Sequence, residues 1–130
     1  MVVLDTHVLI YDALAPQRLS RRARQAIERG ARGHALAACD ISLWEIAMLI
    51  ARGRLEPGKD AKAFLDDVVQ GRSLELLPIT PGIAVRAQSD EFGHGDPADR
   101  IIAATALERG LALISGDAAL RRIKALRVIW

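Results

Sequence analysis

Short apolar runs alternate with segments of helical composition along this chain, and that alternation is the feature that most restricts its fold. Five runs have the length and composition of buried strands and cover residues 2–4, 35–38, 74–79, 111–115 and 127–130. Segments of good helix formers separate them. Strands that alternate with helices are typical of a parallel sheet covered by helices on both faces. We therefore expect an α/β fold, with any functional crevice at the carboxyl ends of the strands.

Capping residues and helix breakers set the expected limits of the helices. These are expected over about residues 6–15, 20–32, 42–52, 60–70, 80–92, 97–109 and 117–124. Thr6 can cap the first helix, and Pro16 ends it because the residue before a proline avoids the helical region. Ser42 and Glu45 have the S-x-x-E spacing of a capping box, which predicts that the third helix begins there.

The size and composition of the chain exclude several classes of protein. A length of 130 residues is that of one domain, and 51% hydrophobic with 26% charged residues is typical of a globular protein. The single cysteine, Cys39, excludes an intramolecular disulfide and a cysteine-based zinc site, and it favours a reducing, cytoplasmic setting. The apolar runs are too short to cross a membrane, and the N-terminus lacks the basic region of a secretory signal. A net charge of +2 with 4% aromatic residues does not by itself indicate nucleic-acid binding.

Four acidic residues lie where the expected fold places a functional site. Asp5 follows the first strand directly, Asp117 follows the fourth strand after one glycine, and Glu45 and Asp99 lie in the first turns of helices. Each also has a local alternative, as a helix cap, a capping-box partner or a partner of the helix dipole. Carboxylates brought together at one edge of a sheet repel each other, and a divalent cation such as Mg²⁺ or Mn²⁺ removes that cost. The four positions together therefore predict a metal site.

Four short motifs follow one another along the chain. They are Val-Val-Leu-Asp-Thr-His at 2–7, Ser-Leu-Trp-Glu-Ile at 42–46, Asp-Pro-Ala-Asp-Arg-Ile-Ile-Ala-Ala-Thr-Ala at 96–106 and Leu-Ile-Ser-Gly-Asp at 113–117. Taken in order, they resemble the PIN-domain ribonucleases, and more closely the VapC-type toxins of bacterial and archaeal toxin–antitoxin pairs. The resemblance covers essentially the whole chain. It implies a three-layer α/β/α sandwich with a mainly parallel central sheet, forming a single PIN-like nuclease domain over residues 1–130.

The same resemblance implies hydrolysis of RNA phosphodiester bonds with Mg²⁺, for which Mn²⁺ could substitute. Matched position by position, the metal-binding and catalytic acids of the family correspond to Asp5, Glu45, Asp99 and Asp117. Supporting positions are Thr6, Asp96, Arg100 and Ser115. Asp96 is ambiguous, because it lies three residues before Asp99 and the two could face the same way. Asp99 is preferred as the ligand because it directly precedes the helical run Arg-Ile-Ile-Ala-Ala-Thr, which leaves Asp96 as a loop or capping residue.

The resemblance also implies three partners: an RNA substrate, a cognate antitoxin that blocks the site, and a second copy of the chain in a homodimer. The helix expected over 42–52 is apolar on more than one side, which leaves room for a groove that receives a partner helix. Alternatives are a housekeeping RNA-processing nuclease, a non-catalytic interaction module and a metal-dependent phosphatase. The phosphatase is disfavoured because only one acid follows the first strand, and the non-catalytic module because all four acids are present.

Further polar residues have weaker functional interpretations. Six arginines fall in one helical region: Arg18, Arg21, Arg22, Arg24, Arg29 and Arg32. Arginine suits phosphate recognition, although a charged helix is usually only a solvated surface. Arg100, beside Asp99, is the better candidate for an RNA contact. His7 and His94 lie close in sequence to the acids and could reach the crevice, whereas Cys39 is expected to be inert packing.

Overall fold

The computed structural model of the protein describes residues 1–93 and 95–130. Its five strands are β1 (Val2–Leu4), β2 (Leu36–Cys39), β3 (Glu75–Leu77), β4 (Ala112–Ile114) and β5 (Val128–Ile129). They form one sheet in the order β3-β2-β1-β4-β5, and every neighbouring pair is parallel. The central strand β1 aligns Val3 with Ala37 on one side and with Leu113 on the other. The parallel sheet expected from the alternation of strands and helices is therefore confirmed.

Seven α-helices connect and cover these strands. They are α1 (Thr6–Leu14), α2 (Arg21–Arg32), α3 (Asp40–Ala51), α4 (Ala61–Gly71), α5 (Pro81–Arg86), α6 (Pro97–Arg109) and α7 (Ala118–Arg121). Two short 3₁₀ helices, Pro16–Arg18 and Asp90–Phe92, lie between them. None of the helices in residues 1–93 and 95–130 is long and apolar enough to cross a bilayer.

The two faces of the sheet are packed by different helices. On one face, Leu4 and Ile114 belong to a buried cluster with apolar side chains of α1 to α4, such as Ile27 and Phe64. On the other face, the neighbouring strand residues Val3 and Leu113 pack with side chains of α6 and α7. Successive strand residues therefore point to opposite cores, as the pleat of a strand requires. The three-layer α/β/α sandwich is confirmed.

The order of the strands shows where on the sheet a functional crevice is expected. From β1 the chain adds β2 and β3 on one side, and it then returns to add β4 and β5 on the other. The sequence order reverses between β1 and β4, and ligands of open α/β sheets bind in the crevice at such a switch point. Asp5 follows β1, and the loop Ser115 to Asp117 follows β4, so both open into this crevice.

The capping box expected at Ser42 and Glu45 is wrong. Helix α3 begins at Asp40, directly after β2, and its N-cap residue Cys39 makes no side-chain capping bond. Ser42 and Glu45 therefore lie within the helix, and both side chains contact Thr6 instead. The first helix is likewise capped by Asp5, whose carboxylate accepts from the Thr6 N–H, and not by Thr6.

The helix expected to reach residue 92 ends at Arg86. The carbonyls of Ala87, Ser89 and Gly93 accept hydrogen bonds from the guanidinium of Arg100. Carbonyls near the end of a helix have no partner within it, and here a side chain from α6 supplies the donors. The segment that follows α5 is therefore held by a contact with a distant residue, which local propensity cannot predict.

Candidate metal centre

Asp5 is the buried anchor of the site. It is 2% exposed, and it lies between β1 and α1 at the switch point. Its Oδ1 accepts from the backbone N–H of Thr6 at 2.8 Å, and its Oδ2 accepts from the Ser115 hydroxyl at 2.6 Å. A carboxylate buried this deeply needs such donors, since an unpaired buried charge is costly. The two bonds fix both oxygens and tie the end of β1 to the end of β4.

Hydrogen bonds of hydroxyl groups connect Thr6, the residue after Asp5, to helix α3. The Thr6 hydroxyl donates to the Glu45 carboxylate, and it lies 2.8 Å from the hydroxyl of Ser42. Because Thr6 gives its proton to Glu45, Ser42 donates to Thr6. Burial raises the pKa of Glu45, the bond from Thr6 lowers it, and the negative charges of Asp96 and Asp5 raise it further. Glu45 is therefore held in place by the neutral hydroxyl of Thr6, while other acids destabilise its negative charge.

Ser42 is a residue of the site that the sequence analysis missed. It is fully buried, and its hydroxyl bonds to Thr6 instead of capping α3. The available signal was its position three residues before Glu45, because residues at this spacing share one face of a helix. Once α3 is known to begin at Asp40, that face is the one turned toward Thr6.

Three carboxylates form a group at the site, one from Glu45 and two from residues at the start of α6. Among the described residues, Glu45, Asp96 and Asp99 each place one carboxylate oxygen within 4.8 Å of the others. Asp96 is also the N-cap of α6, with Oδ1 accepting from the N–H groups of Ala98 at 2.8 Å and Asp99 at 3.4 Å. The capping role expected for Asp96 is therefore real, and the structure places its carboxylate in the acidic cluster as well.

Asp99 has the most strongly shifted pKa in the acidic centre. The pKa of Asp99 is raised from 3.8 to about 7, first by burial and then by the negative charges of the surrounding acids. The contributing acids are Asp5, Asp96, Asp117 and Glu45. The other three sequence-predicted acids and Asp96 thus all lie within electrostatic reach of Asp99. The oxygen donors and the cost of their crowding match what a hard divalent cation would bind and relieve.

Asp117 lies at the edge of this centre. Its Oδ1 accepts from the N–H groups of Ala119 at 2.7 Å and Leu120 at 3.3 Å, so it caps α7. Its own N–H donates to the Ser115 hydroxyl at 3.0 Å. Ser115 therefore holds Asp5 and Asp117 at the same time, which gives this expected supporting residue a definite structural role. Asp117 is not one of the three carboxylates that lie within 4.8 Å of one another.

Two residues next to the acids are engaged with the backbone. Arg100 donates to the carbonyls of Ala87, Ser89 and Gly93 at 2.7, 3.0 and 3.1 Å, so it holds the segment before α6 in place, and a substrate contact would compete with these bonds. His7 accepts from the Gly116 N–H at 2.9 Å through Nε2.

The other ring nitrogen of His7, Nδ1, lies 3.4 Å from Asp5 Oδ2. His7 therefore lines the crevice between the ends of β1 and β4. Cys39 is buried, and burial raises the pKa of its thiol to about 11. His94, the other histidine considered from the sequence, lies outside the described residues.

The fold and the site together define a class, that of parallel α/β/α proteins with an acidic centre at the strand ends. The sequence pattern described as the PIN domain matches residues 2–126. The chain belongs to the PIN-domain family. Over 121 residues it is 37% identical to Ribonuclease VapC22 of Mycobacterium tuberculosis, an alignment that covers 92% of this chain and 89% of that protein. The resemblance to PIN-domain proteins of the VapC type is confirmed.

Solved structures agree with this assignment at the level of the fold. A VapBC2 complex from Rickettsia felis, bound to a promoter DNA fragment, matches with a TM-score of 0.75 and 16% identity and covers 98% of this chain and 97% of that one. A DNA-bound VapBC complex from Salmonella typhimurium matches with a TM-score of 0.70 and 19% identity, with coverages of 98% and 95%. At these identities the likeness concerns the architecture.

Proposed function

We propose that this protein is a metal-dependent endoribonuclease that hydrolyses RNA phosphodiester bonds and acts as the toxin of a type II toxin–antitoxin system. The observation that carries the proposal is the approach of Glu45, Asp96 and Asp99 within 4.8 Å beside the buried Asp5. It occurs in a chain that is 37% identical to a VapC ribonuclease over nearly its whole length. We place its action in the cytoplasm, where RNA is available.

The residues present fit a divalent cation, for which Mg²⁺ is the first choice and Mn²⁺ a substitute. Glu45, Asp96 and Asp99 would hold it, with Asp5 and Asp117 completing the negative field. When bound, such an ion would lower the pKa of a water molecule and would neutralise negative charge on a phosphodiester. The chain contributes orientation: Thr6 and Ser115 hold the carboxylates of Glu45 and Asp5.

We also propose a cognate antitoxin and a homodimer as partners. Structures of relatives with this fold are described as VapBC complexes, which supports an antitoxin. An exposed tryptophan on α3 supports docking of the antitoxin next to the site. Trp44 is 59% exposed and directly precedes Glu45. An antitoxin segment that covers Trp44 would also cover the acidic centre.

Cleavage of RNA tests the nuclease activity. RNA should be cut with Mg²⁺ or Mn²⁺ and should survive with EDTA, and Asp5→Asn and Asp99→Asn should both lose the activity. Asp66→Asn is the matched control, because Asp66 is an acid on the surface whose partner is Lys62. Cleavage that persists in both site variants would overturn the assignment.

Metal binding and toxicity are tested separately. Mg²⁺ should raise the melting temperature of the wild type more than that of Asp5→Asn, because the variant lacks one of the charges that attract the ion. Equal shifts would contradict a metal site at these acids. Expression should arrest the growth of a bacterial host, and Asp99→Asn should restore growth. Normal growth with an active nuclease would favour a housekeeping role instead.

A further inference from the structure

The exposed side of α2, together with the turn before it, is almost uniformly cationic. We name this surface the α2 basic face. It consists of Arg18, Arg21, Arg22, Arg24, Arg29 and Arg32, all of them exposed. The opposite side of the helix buries Ala23, Ala26 and Ile27 against the core. The one acid on the exposed side, Glu28, has its Oε1 3.2 Å from Arg72.

The arginines of this face differ from the arginines that maintain the fold. Arg72 pairs with Asp12 and Glu28, and Arg86 pairs with Glu91 and Glu108. Within residues 1–93 and 95–130, no member of the α2 basic face takes part in an ion pair. Their guanidinium groups are therefore free to bind an anion from outside the chain, and the planar fork of arginine suits phosphate.

A continuous series of contacts joins the metal centre to this face. Gly116, in the loop before Asp117, donates to His7, whose ring lies 5.6 Å from the ring of Tyr11. The guanidinium of Arg18 in turn lies over the ring of Tyr11, 4.4 Å from its centroid. Through these contacts Arg18, the first residue of the α2 basic face, is connected to the crevice that His7 lines.

At its far end, the α2 basic face reaches the opposite edge of the sheet. Arg29 lines one cavity with Arg127, together with Val2 and Ala35 at the starts of β1 and β2. The 12 residues of α2 extend about 18 Å. That length matches roughly five phosphates of a stacked strand at about 3.4 Å per phosphate.

We propose that the α2 basic face binds the phosphates of the RNA strand as it leaves the metal centre. The proposal rests on the proposed nuclease function and names the surface that holds the substrate outside the site. A centre built from carboxylates repels RNA, so retention of the strand needs positive charge elsewhere on its path. With few aromatic residues to stack bases, this contact is to the backbone and has no sequence preference.

Salt-dependent RNA binding tests the proposal. The probe is a fluorescein-labelled single-stranded RNA of about 24 nucleotides, followed by anisotropy, with every protein carrying Asp99→Asn so that the RNA stays intact. Arg22→Ala/Arg29→Ala should lower the slope of log K against log salt by about 1.4 and weaken binding roughly 25-fold at about 0.1 M KCl. Arg22→Lys/Arg29→Lys should keep most of the slope because it keeps the charge.

Arg52→Ala/Arg54→Ala is the matched control. It makes the same change in net charge at the exposed far end of α3. Its effect should be less than half as large. Equal effects of the two alanine pairs would overturn the proposal, because net charge alone would then explain binding. Unchanged RNA binding by Arg22→Ala/Arg29→Ala would also overturn the proposal. If that variant instead loses binding to poly-L-glutamate, the α2 basic face is assigned to an acidic protein segment.

Failure of the proposed function has a different readout. Hydrolysis of bis(p-nitrophenyl) phosphate by the wild-type protein with Mn²⁺ reports the metal centre without needing the α2 basic face. If that hydrolysis is absent while Arg22→Ala/Arg29→Ala weakens RNA binding, the nuclease assignment fails and the RNA-binding surface stands.

Discussion

Replacing Asp99 by asparagine should stabilise the metal-free protein at and above neutral pH. The pKa of Asp99 is raised from 3.8 to about 7, first by burial and then by the acids around it. In the unfolded chain the same carboxyl ionises near its ordinary value. Between these two values the folded state keeps a proton that the unfolded state releases, so stability falls as the pH rises from about 4 to about 7. An asparagine at this position removes that loss.

The size of the effect follows from the difference in pKa. A difference of about 3 units corresponds to at most about 4 kcal/mol once the pH exceeds the folded value. Asp99 keeps some contact with solvent, and a buried asparagine has its own desolvation cost, so we expect about 2 kcal/mol. For a chain of 130 residues, that corresponds to a rise of roughly 7 °C in the melting temperature.

Thermal melting in EDTA, followed by circular dichroism from about pH 4 to pH 8, measures this difference. Near pH 4, Asp99→Asn should have the same melting temperature as the wild type. As the pH rises, its melting temperature should exceed that of the wild type by an increasing amount. Asp66→Asn, at the surface, should follow the wild type throughout. Mg²⁺ should narrow the gap at pH 8 by stabilising the wild type. A variant that melts below the wild type at pH 8 in EDTA, or a difference in melting temperature that does not change with pH, would show that the charge of Asp99 does not destabilise the fold.

Three further predictions concern neighbouring residues. Ser115→Ala removes the donor to Asp5 and leaves buried polar groups unpaired, so thermal melting should show a loss of about 1–3 kcal/mol; an unchanged melting temperature would contradict the role of this hydroxyl. Gly116→Ala would place its Cβ 2.9 Å from the Trp130 indole, at a cost of about 1–3 kcal/mol that Trp130→Leu in the same chain should partly recover. Failure of this second change to recover stability would show that the clash is not the cause. The thiol of Cys39 is buried and has a pKa of about 11. At pH 8 it should react slowly with a disulfide reagent in the folded protein and rapidly in guanidinium. Rapid reaction under both conditions would be inconsistent with its burial.

Much of the architecture was predictable because it depends on local pattern. The alternation of apolar runs with helical segments predicted a parallel sheet covered on both faces, and the structure has both features. Asp5 and Asp117 were recognisable because each lies just after the end of a strand, and the carboxyl ends of parallel strands share one edge. Their expected capping roles are also present, so capping and membership of the acidic centre do not exclude each other.

What the sequence alone left undecided concerns the directions of side chains and contacts between distant residues. The spacing of Ser42 and Glu45 fits a capping box and also fits one shared helix face, and only the start of α3 at Asp40 selects the second. The partnership of Ser42 and Thr6 joins residues 36 positions apart, which no local pattern encodes. The hydrogen bonds of Arg100 to the segment before α6 were hidden for the same reason.

The fold class, the family and the acids at the ends of strands and starts of helices follow from the amino-acid sequence. The grouping of the carboxylates is visible only in three dimensions, where Asp96 lies within 4.8 Å of Glu45 and Asp99 while Asp117 stays outside that group. Periodicity places a residue on an element, but the raised pKa of Asp99 depends on burial and on charges that only the folding of α1, α3, α6 and β4 brings together.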